Sequence, residues 1–455
     1  MAATLASVGT AQSTATADWT RFGYDASRSS DDPNATGITA ANVASLVEQQ
    51  VQLPGTVDSS AIYLKGVEVG QSLHDTLFVT TSYGITLAID ADDGSILWQY
   101  TPPSYARLAG GVHITTAAPV ADPGREWVYA ASPDGKIQKL SVDEGSVAWR
   151  VLITKLPARE KISSPLNYAN GHVIATTAGF ADKAPYQGHV ALISRDGHLR
   201  HVWNALCSDH PRLIAPSTCP STDAGIWGRG GAVVVPGSRN LLVATGNAHW
   251  DGKTSWGDAV IELSPTAELI GNYAPKNTSG LYEGDLDLGS TSPVYLTPRL
   301  IAQGGKDKLI RLLSLPSLSG TAPHKGHELQ IVPTPSKVGL LTQPAVWRAM
   351  RTWLIVADSG ATQAWVLRDG LLTSVWSQPY AGTSPMIAGD LLYVYDPTGG
   401  GLRVYTPKDG APVATLPAGS GHWSSPIATD GFVALPEGNA NDQLTSGVLD
   451  IWRLP

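Results

Sequence analysis

The amino-acid sequence predicts an all-β protein in which eight four-stranded blades close into a ring, a β-propeller. Three observations lead to this prediction. A short phrase of Ser or Thr, often followed by Pro and then by an apolar run, recurs along the chain. Alternating apolar residues interrupted by turns such as Asp134-Gly135 follow most copies, which is typical of β-hairpins. No segment keeps the helical period of apolar residues for three turns.

The repeated phrase marks the start of each blade. Four short strands per repeat and about eight repeats predict eight blades, with the fourth copy degenerate. The copies begin at Val57, Ile114, Ile162, Gly228, Gly289, Leu341, Gly382 and Trp423.

The last repeat, from His422 to Pro455, has room for only about three strands. The segment Leu46 to Pro54 precedes the first full repeat and alternates like a strand. We therefore expect this N-terminal strand to complete the last blade and close the ring, which removes exposed sheet edges.

The remaining segments are interpreted by composition and position. Residues 1–19 are small and hydroxylated and are predicted to be a flexible N-terminal remnant, which leaves 20–455 as a single propeller. The one helical candidate is Thr39 to Leu46, with Thr39 as its N-cap. Four tryptophans at strand ends are predicted to be wedges between blades: Trp98, Trp149, Trp203 and Trp376.

Composition limits the classes of partner. The chain has 47 Gly and 32 Pro, only 15% charged residues, and a formal net charge of −8 without charged blocks. This distribution argues against a nucleic-acid partner. No apolar run approaches the roughly 18 residues that a membrane span needs.

The two cysteines, Cys207 and Cys219, lie in an insertion from Asn204 to Ala224. A local disulfide is the simplest pairing, and two unrelated buried thiols are the alternative. A disulfide would favour an oxidising compartment, so the protein is expected to be periplasmic or secreted.

In a propeller, the loops before the innermost strands point into the axial channel, so the residues just ahead of each repeated phrase should meet at one mouth. These residues include two imidazoles, several carboxylates, two cations and two indoles, which are the components of an acid–base or metal site. They are Asp58, His113, Lys161, Trp227, Arg229, Asp285, Asp287, Thr342, His422 and Trp423.

The aromatic candidates each have a functional and a structural interpretation. His113 and His422 could ligate a metal or could hydrogen-bond a carbonyl of a neighbouring blade. Trp227 could stack on a ligand or could wedge between blades.

The charged candidates are equally open. Asp285 and Asp287 could act as a general base or metal ligand, or could cap a turn. Arg229 and Lys306 could neutralise an anionic ligand or could form structural salt bridges.

The repeats ending in AIDADDGSILW, the opening WTRFGYDASRS followed by GITAANVASL, and the blade count resemble the quinoprotein alcohol dehydrogenase superfamily, whose propellers carry pyrroloquinoline quinone (PQQ). The resemblance covers essentially the whole chain. It is specific for the fold and weak for the chemistry, because non-catalytic propellers, including outer-membrane assembly lipoproteins, share the repeat.

The resemblance also implies roles for individual residues. Trp227, followed by Gly228, corresponds to the indole under the quinone plane, and Asn247 of the Thr-Gly-Asn segment corresponds to a calcium ligand. Asp285 or Asp287 corresponds to the catalytic base, and Lys306 to the cation that contacts the quinone. The cofactor contacts are therefore expected from Trp227, Arg229, Lys306, His113 and Trp423.

Two features depart from the family. The vicinal Cys-Cys on the opposite quinone face is absent, and His113-Ile114 stands in its place. The calcium-binding Glu is missing from GFADKAPYQGHVAL, where Asp182, Lys183 and Gln187 occur instead.

Three functions follow as hypotheses. The first is an exported oxidoreductase that acts on an alcohol or sugar in the axial channel with PQQ and calcium. The second is a non-catalytic propeller that binds a protein or glycan partner. The third is a lyase or hydrolase that uses a transition metal on His113 and His422. The chain is expected to be a monomer, and neither its substrate nor its electron acceptor can be named from the sequence.

Overall fold

The computed structural model describes residues 18–219 and 221–455. Within them, eight antiparallel sheets of four strands form the blades of a propeller, so the predicted fold class is confirmed. A fifth, short strand, Asp31–Asp32, pairs in parallel with the innermost strand of one blade, Met386–Ala388. The first strands of neighbouring blades contact one another, which places them around the axis. These inner strands are almost entirely buried, whereas outer strands such as Val147–Leu152 are largely exposed or half-buried.

The strands of each blade follow one another along the chain from the axis outward. Blade 1 comprises Ile62–Val69, Ser72–Thr80, Thr86–Asp90 and Ile96–Tyr100, and blade 2 comprises Val120–Ala121, Trp127–Ser132, Lys136–Ser141 and Val147–Leu152. Blade 3 comprises Asn167–Ala169, His172–Thr176, His189–Ser194 and Leu199–Asn204, and blade 4 comprises Val233–Val234, Leu241–Ala244, Val260–Leu263 and Leu269–Tyr273. Blades 5 to 7 comprise Val294–Thr297, Leu300–Gly304, Leu309–Ser314 and Gln330–Pro333; Ala345–Arg348, Thr352–Ala357, Thr362–Arg368 and Leu371–Gln378; and Met386–Ala388, Leu391–Asp396, Gly401–Tyr405 and Pro412–Leu416.

Blade 8 closes the ring. Its inner strands are Ile427–Thr429, Phe432–Glu437 and Gly447–Arg453, and its outermost strand is Val47–Leu53 from the other end of the chain. The last two strands pair antiparallel from Val47 opposite Arg453 to Leu53 opposite Gly447. This is the pairing expected for the alternating segment Leu46 to Pro54.

The elements outside the blades are short. One two-stranded sheet pairs Glu160–Lys161 with Ala178–Gly179. Two α-helices, which the apolar periodicity did not reveal, are Tyr105–Leu108 and Thr278–Glu283. The single-turn 3₁₀ helices are Val43–Ser45, Pro216–Thr218, Leu288–Ser290, Leu315–Leu318 and Ala440–Asp442.

The predicted helix from Thr39 to Leu46 is wrong in type, because only the 3₁₀ turn Val43–Ser45 forms there. Its N-cap is Asn42, and the Asn42 Oδ1 atom accepts the backbone N–H of Thr39 at 2.7 Å. That local hydrogen bond stabilises a turn ahead of the 3₁₀ segment in place of a first helical turn.

Tryptophan wedges join neighbouring blades. Trp98, on the outer strand of blade 1, donates its Nε1–H to the carbonyl of Val142 in blade 2 at 2.7 Å. Its ring lies against Gly145, where a Cβ atom would come within 2.5 Å of the indole. The other predicted wedges are Trp149 against Gly197, Trp376 against Gly410, and Trp203, which is 2% exposed among side chains of blades 3 and 4.

Residues 19–36 form a segment that we term the N-terminal belt. It runs across the inner strands, and its backbone pairs with them from one blade to the next. Residues 1–17, most of the predicted N-terminal remnant, lie outside the described residues, but Trp19 is only 1% exposed and belongs to the folded body. The belt's partners include Tyr63 of blade 1, Val120 of blade 2, Val234 of blade 4, Val346 of blade 6, Met386–Ala388 of blade 7 and Gly431 of blade 8.

Arg28 fixes the belt at the axis. Its side chain is fully buried and donates to the carbonyl oxygens of Phe22, Gly230, Pro165 and Leu166 at 2.5–3.2 Å. Burial lowers its pKa to about 9. Each of these hydrogen bonds satisfies a buried guanidinium that has no carboxylate partner among the described residues, which makes the belt an integral part of the core.

Among the described residues, no helix has both the length and the apolar character that crossing a membrane requires.

Candidate functional site

A cavity of about 580 Å³ lies where the loops that precede the innermost strands of several blades meet. This is the convergence that the repeated phrases predict. The predicted site residues that line it are Lys161, Trp227, Asn247, Asp285, Asp287, Lys306 and Trp423. The lining residues that the sequence did not single out include Val112, Phe180, Tyr186, Asp223, Asn441 and Gln443.

Asp287 and Lys306 form an ion pair in this cavity. The Lys306 ammonium contacts the Asp287 carboxylate and lies 3.3 Å from Oδ1 of Asp285. Asp287 is 5% exposed, and burial raises its pKa although Lys306 opposes the shift. Burial alone lowers the pKa of Lys306, but Asp287 and Asp285 raise it above its ordinary value. Each partner thus opposes the effect of burial on the pKa of the other.

Asp258 stabilises the turn that carries Asp287 through a hydrogen bond to its backbone. Asp258 Oδ1 accepts the backbone N–H of Leu288 at 2.9 Å, and Asp258 Oδ2 is buried without a hydrogen-bond partner among the described residues. Burial raises the pKa of Asp258 to about 8. Asp258 is not among the residues predicted for the site, because nothing in the sequence around it indicates this role.

Close packing brings Asn247 to the same turn. A Cβ atom on Gly246 would lie 2.7 Å from Oδ1 of Asp287, and one on Gly289 would lie 2.4 Å from the carbonyl carbon of Thr245. Glycine at both positions lets the two loops approach. As a result, the Asn247 N–H donates to the Asp287 carboxylate.

Stacked rings form another wall. Trp227 and Trp423 have ring centroids 6.1 Å apart and planes inclined by 29°. His422 stacks on Trp423 at 4.2 Å. The Lys306 ammonium lies 5.4 Å from the Trp227 ring centroid, within the range of a cation–π contact. The Lys306 ammonium and the flat faces of the two indoles therefore lie in the same part of the cavity.

His422 is held by Asp58. Its Nδ1 lies 2.8 Å from Oδ2 of Asp58, and the same carboxylate accepts the backbone N–H groups of Trp423 and Ala440 at 2.7 and 3.1 Å. Burial alone would raise the pKa of Asp58, but hydrogen bonding and the charge of His422 lower it below its ordinary value. The Nδ1 atom of His422 is therefore committed to this carboxylate.

His113 lies beside the cavity without lining it. Its ring packs edge-on against Phe180 at 4.7 Å, and its Nε2 is 3.3 Å from the carbonyl oxygen of Ala158. Its neighbours Val112 and Ile114 line the cavity instead. Across residues 18–219 and 221–455, no group of three His, Cys, Asp or Glu side chains is arranged to hold a metal ion.

Arg229 lies behind the aromatic wall. It is 1% exposed, donates to the carbonyl of Thr116 at 2.9 Å, and lies 5.4 Å from the ring centroid of Trp423. Burial lowers its pKa to about 10. It is not among the residues that line the cavity.

The predicted disulfide between Cys207 and Cys219 is present. The loop that it closes is anchored by Asn204, whose Nδ2 donates to the carbonyl oxygens of His210 and Arg212 at 2.6 and 2.9 Å. Asp223, a few residues after Cys219, lines the cavity beside Tyr186. The insertion therefore builds part of the cavity wall.

The residues present can be compared with the needs of PQQ and calcium. Asn247 Oδ1 is buried without a hydrogen-bond partner among the described residues and belongs to a residue that contacts Asp287. An orphaned amide oxygen beside a carboxylate is a suitable pair of ligands for a hard cation.

The charge of the lining leads to the same conclusion. Four carboxylates, from Asp182, Asp223, Asp285 and Asp287, face two ammonium groups, from Lys161 and Lys306. A quinone with several carboxylates would enter this net negative lining favourably only together with a cation. The lining thus offers a cation one orphaned amide oxygen and a neighbouring carboxylate, without a vicinal disulfide or a Glu side chain among the described residues that line it.

Solved structures match this fold over nearly its whole length. Quinohemoprotein alcohol dehydrogenase from Comamonas testosteroni matches with a TM-score of 0.69 at 14% identity, covering 96% of this chain and 80% of that one. A europium-containing methanol dehydrogenase matches with a TM-score of 0.70 at 12% identity, covering 96% and 98%. The chain has the quinoprotein dehydrogenase propeller fold. At these identities the likeness concerns the fold alone.

A second group of matches has a different description. Residues 58–206 of the chain match the family described as outer membrane protein assembly factor BamB. The curated BamB of Moranella endobia is 28% identical over 202 residues, which are 41% of this chain and 44% of that protein. The match thus spans less than half the length of that relative. The crystal structure of BamB from Moraxella catarrhalis matches with a TM-score of 0.55 at 13% identity, covering 90% and 98%.

Proposed function

We propose that the protein is a quinoprotein-type oxidoreductase that oxidises the hydroxyl group of an alcohol or sugar in the axial cavity. One observation carries this proposal: the Asp287–Lys306 ion pair, the orphaned Asn247 oxygen and the Trp227 ring meet in a single cavity of about 580 Å³. A polar cavity with convergent charged groups is the usual setting of an active site.

Each of these residues has a role in the proposal. Asn247 Oδ1 would contact calcium, and the Trp227 ring would support a flat cofactor. Lys161 and Lys306 would neutralise the carboxylates of that cofactor. When bound, PQQ would supply the two-electron oxidation chemistry, and the protein would supply binding and orientation.

Asp287 is the proposed general base. Its buried carboxylate has a raised pKa, which brings it closer to the basicity that proton abstraction from a hydroxyl requires. The charge of Lys306 opposes this rise. Asp285 is the weaker candidate, because its side chain is 73% exposed.

Cofactor binding and dye reduction test the proposal. Tryptophan fluorescence is followed while PQQ is added in the presence of calcium, and dye reduction is then measured with a panel of alcohols and sugars. We expect quenching at micromolar PQQ that is lost without calcium, and loss of dye reduction in Asp287→Asn. Asp196→Asn, an exposed change on blade 3, is the matched control. Absence of quenching at micromolar PQQ would end the proposal.

A non-catalytic propeller that binds a protein or glycan partner is the second candidate. It is favoured by the BamB family match over residues 58–206. Under this hypothesis, Asp287→Asn and Trp227→Leu leave binding of partners captured from an exporting cell unchanged, while PQQ causes no quenching.

The remaining proposals concern the protein's localisation, its oligomeric state and an alternative metal. The disulfide and the outer membrane relative support export to the periplasm or beyond. We also expect a monomer, which light scattering would test. The alternative of a transition metal on His113 and His422 predicts such a metal in the purified protein by elemental analysis.

A further inference from the structure

A second cavity, of about 840 Å³, lies at the opposite end of the innermost strands from the axial cavity. In blade 3, for example, the axial cavity is lined by Ser163, ahead of the inner strand Asn167–Ala169, whereas this second cavity is lined by Asn170 and Gly171, just after it. Together with the N-terminal belt, these turns form what we term the belt groove. None of its lining residues is shared with the axial cavity.

The formal charges of the belt groove cancel. Its aspartates have ion-pair or hydrogen-bond partners within the protein, but two of its arginines have no carboxylate partner among the described residues. Three arginines and three aspartates line it: Arg21, Arg125, Arg239, Asp18, Asp25 and Asp122.

The aspartates are already engaged. Asp18 pairs with Arg125, whose Nε lies 2.8 Å from Asp18 Oδ2. Asp122 pairs with Arg195 at 3.2 Å, outside the groove. Asp25 accepts hydrogen bonds from the hydroxyls of Ser27 and Ser29 at 2.8 Å. Each carboxylate thus has donors within the protein.

Arg21 and Arg239 lack such partners. Arg21 donates through Nη1 to Asn167 Oδ1 and to the carbonyl of Tyr168, both at 2.9 Å, and these acceptors are neutral. Arg239 donates through Nε to Asn170 Oδ1 at 3.0 Å. Among the described residues, neither guanidinium forms a salt bridge, and Nη2 of Arg21 and both Nη atoms of Arg239 have no acceptor.

The Arg239 side chain is held in place. The Nδ2 atom of Asn170 donates to the carbonyl oxygen of Arg239 at 3.1 Å, so the two residues exchange hydrogen bonds between blades 3 and 4. Both have left-handed backbones, with φ of 55° at Asn170 and 65° at Arg239. Asn170 adopts this conformation in the two-residue turn that it forms with Gly171 between the first two strands of blade 3. The bond from Nε to Asn170 therefore ties the Arg239 side chain to that turn.

We propose that the belt groove binds the carboxylate of a sugar acid, through the free N–H groups of Arg21 and Arg239. A guanidinium presents a planar fork that matches a carboxylate. A singly charged anion is favoured over a dianion because three aspartates line the same groove. The hydroxyls of Thr20, Tyr24 and Tyr168 line the same groove and supply hydrogen-bonding groups for a polyhydroxylated ligand.

Calorimetric titration of the full-length protein tests this proposal, with sodium galacturonate as the probe and galactose as its neutral counterpart. We expect galacturonate to bind and galactose to bind far more weakly. Arg239→Gln should weaken galacturonate binding by roughly 10- to 100-fold, because a charge-assisted hydrogen bond contributes that much. Arg21→Gln should have a similar effect.

Arg200→Gln is the matched control, since Arg200 is exposed on the outer strand of blade 3 and pairs with Asp196. Arg239 is itself exposed, so its variant should fold even if the Arg21 variant does not. Binding of inorganic phosphate as tight as that of galacturonate, with the same dependence on Arg239, would show a general anion site and overturn the assignment. No binding of galacturonate at millimolar concentration, or equal binding by Arg239→Gln, would overturn it as well. Neither outcome bears on the axial cavity.

Discussion

His422 and Asp58 are 364 positions apart in the sequence, yet their side chains are 2.8 Å apart. Asp58 precedes the inner strand of blade 1, and His422 precedes that of blade 8. An ionised carboxylate only accepts hydrogen bonds, so the Nδ1 atom of His422 is the donor. This contact closes the ring at the axis, whereas the strand Val47–Leu53 closes it at the periphery.

Replacing Asp58 with Asn should therefore weaken the seam between the first and last blades. The Asn side chain keeps one acceptor oxygen for three N–H donors, and we expect the free energy of unfolding to fall by about 2–4 kcal/mol in urea titrations at pH 7. Because the pKa of Asp58 is lowered in the fold, its stabilisation is present above roughly pH 4 and is lost in more acidic solution. The difference between the two proteins should shrink accordingly.

Glu68→Gln, an exposed change in blade 1, is the control for this comparison. Equal urea midpoints for Asp58→Asn and Glu68→Gln would contradict the role assigned to the contact.

The buried Asp450 should make the protein less stable as pH rises. It is fully buried in the last strand, and burial together with the neighbouring Glu437 raises its pKa far above the ordinary value. Above roughly pH 4 the unfolded chain releases this proton while the folded chain retains it, so stability declines with rising pH until the raised pKa is passed.

Asp450→Asn should remove this decline. The Asn oxygen can still accept the Gln50 amide, which lies 3.0 Å from Asp450 Oδ1 in the wild type. Between pH 4 and pH 8, the melting temperature of the variant should rise relative to that of the wild type as pH rises. Parallel curves for the two proteins would refute the assignment.

Lys306→Gln tests the charge balance of the axial cavity. Loss of the ammonium removes the interaction that lowers the pKa of Asp287, so this carboxyl group should titrate at higher pH. We expect PQQ binding in the presence of calcium to weaken by about tenfold or more, measured by fluorescence titration. Lys408→Gln, an exposed change on blade 7, should bind like the wild type, and equal affinity for both variants would contradict the role of Lys306.

Gly145→Ala should disrupt the joint between blades 1 and 2. Its φ of 66° disfavours a side chain, and the added Cβ would also lie 2.5 Å from the Trp98 ring. Gly171→Ala is a matched control, because Gly171 has a φ of 76° and a methyl group added there would have nothing within 4 Å. We expect Gly145→Ala to lose at least about 1 kcal/mol more stability than Gly171→Ala in chemical denaturation. Equal losses would mean that the wedge contributes little.

Repeat equivalence explains how much of the site the sequence could predict. Trp227, Asp287 and Trp423 each lie a few residues ahead of the innermost strand of a different repeat, so a closed ring brings them to one cavity. Tyr186 and Asp223 escaped prediction because they lie in segments around the cysteine insertion that have no counterpart in other blades.

The sequence also could not predict which side chains pair with each other or where the backbone is irregular. Asp58 and His422 were both candidates, but their pairing depends on side-chain positions across the seam. The N-terminal belt has no strand pattern, because left-handed residues such as Tyr24, Arg28 and Ser30 interrupt it. Its path is set by the blades that it crosses, not by local preference.

The outermost strand of blade 8 also constrains the order of events during biosynthesis. Residues 47–53 leave the ribosome early, but their partner, Gly447–Arg453, is made some four hundred residues later. Until then the early strand has no partner, because the other three strands of blade 8 have not all been made. The ring is thus closed only after translation has passed residue 453. A factor that covers the unpaired strand Val47–Leu53 until then would raise the yield of native protein.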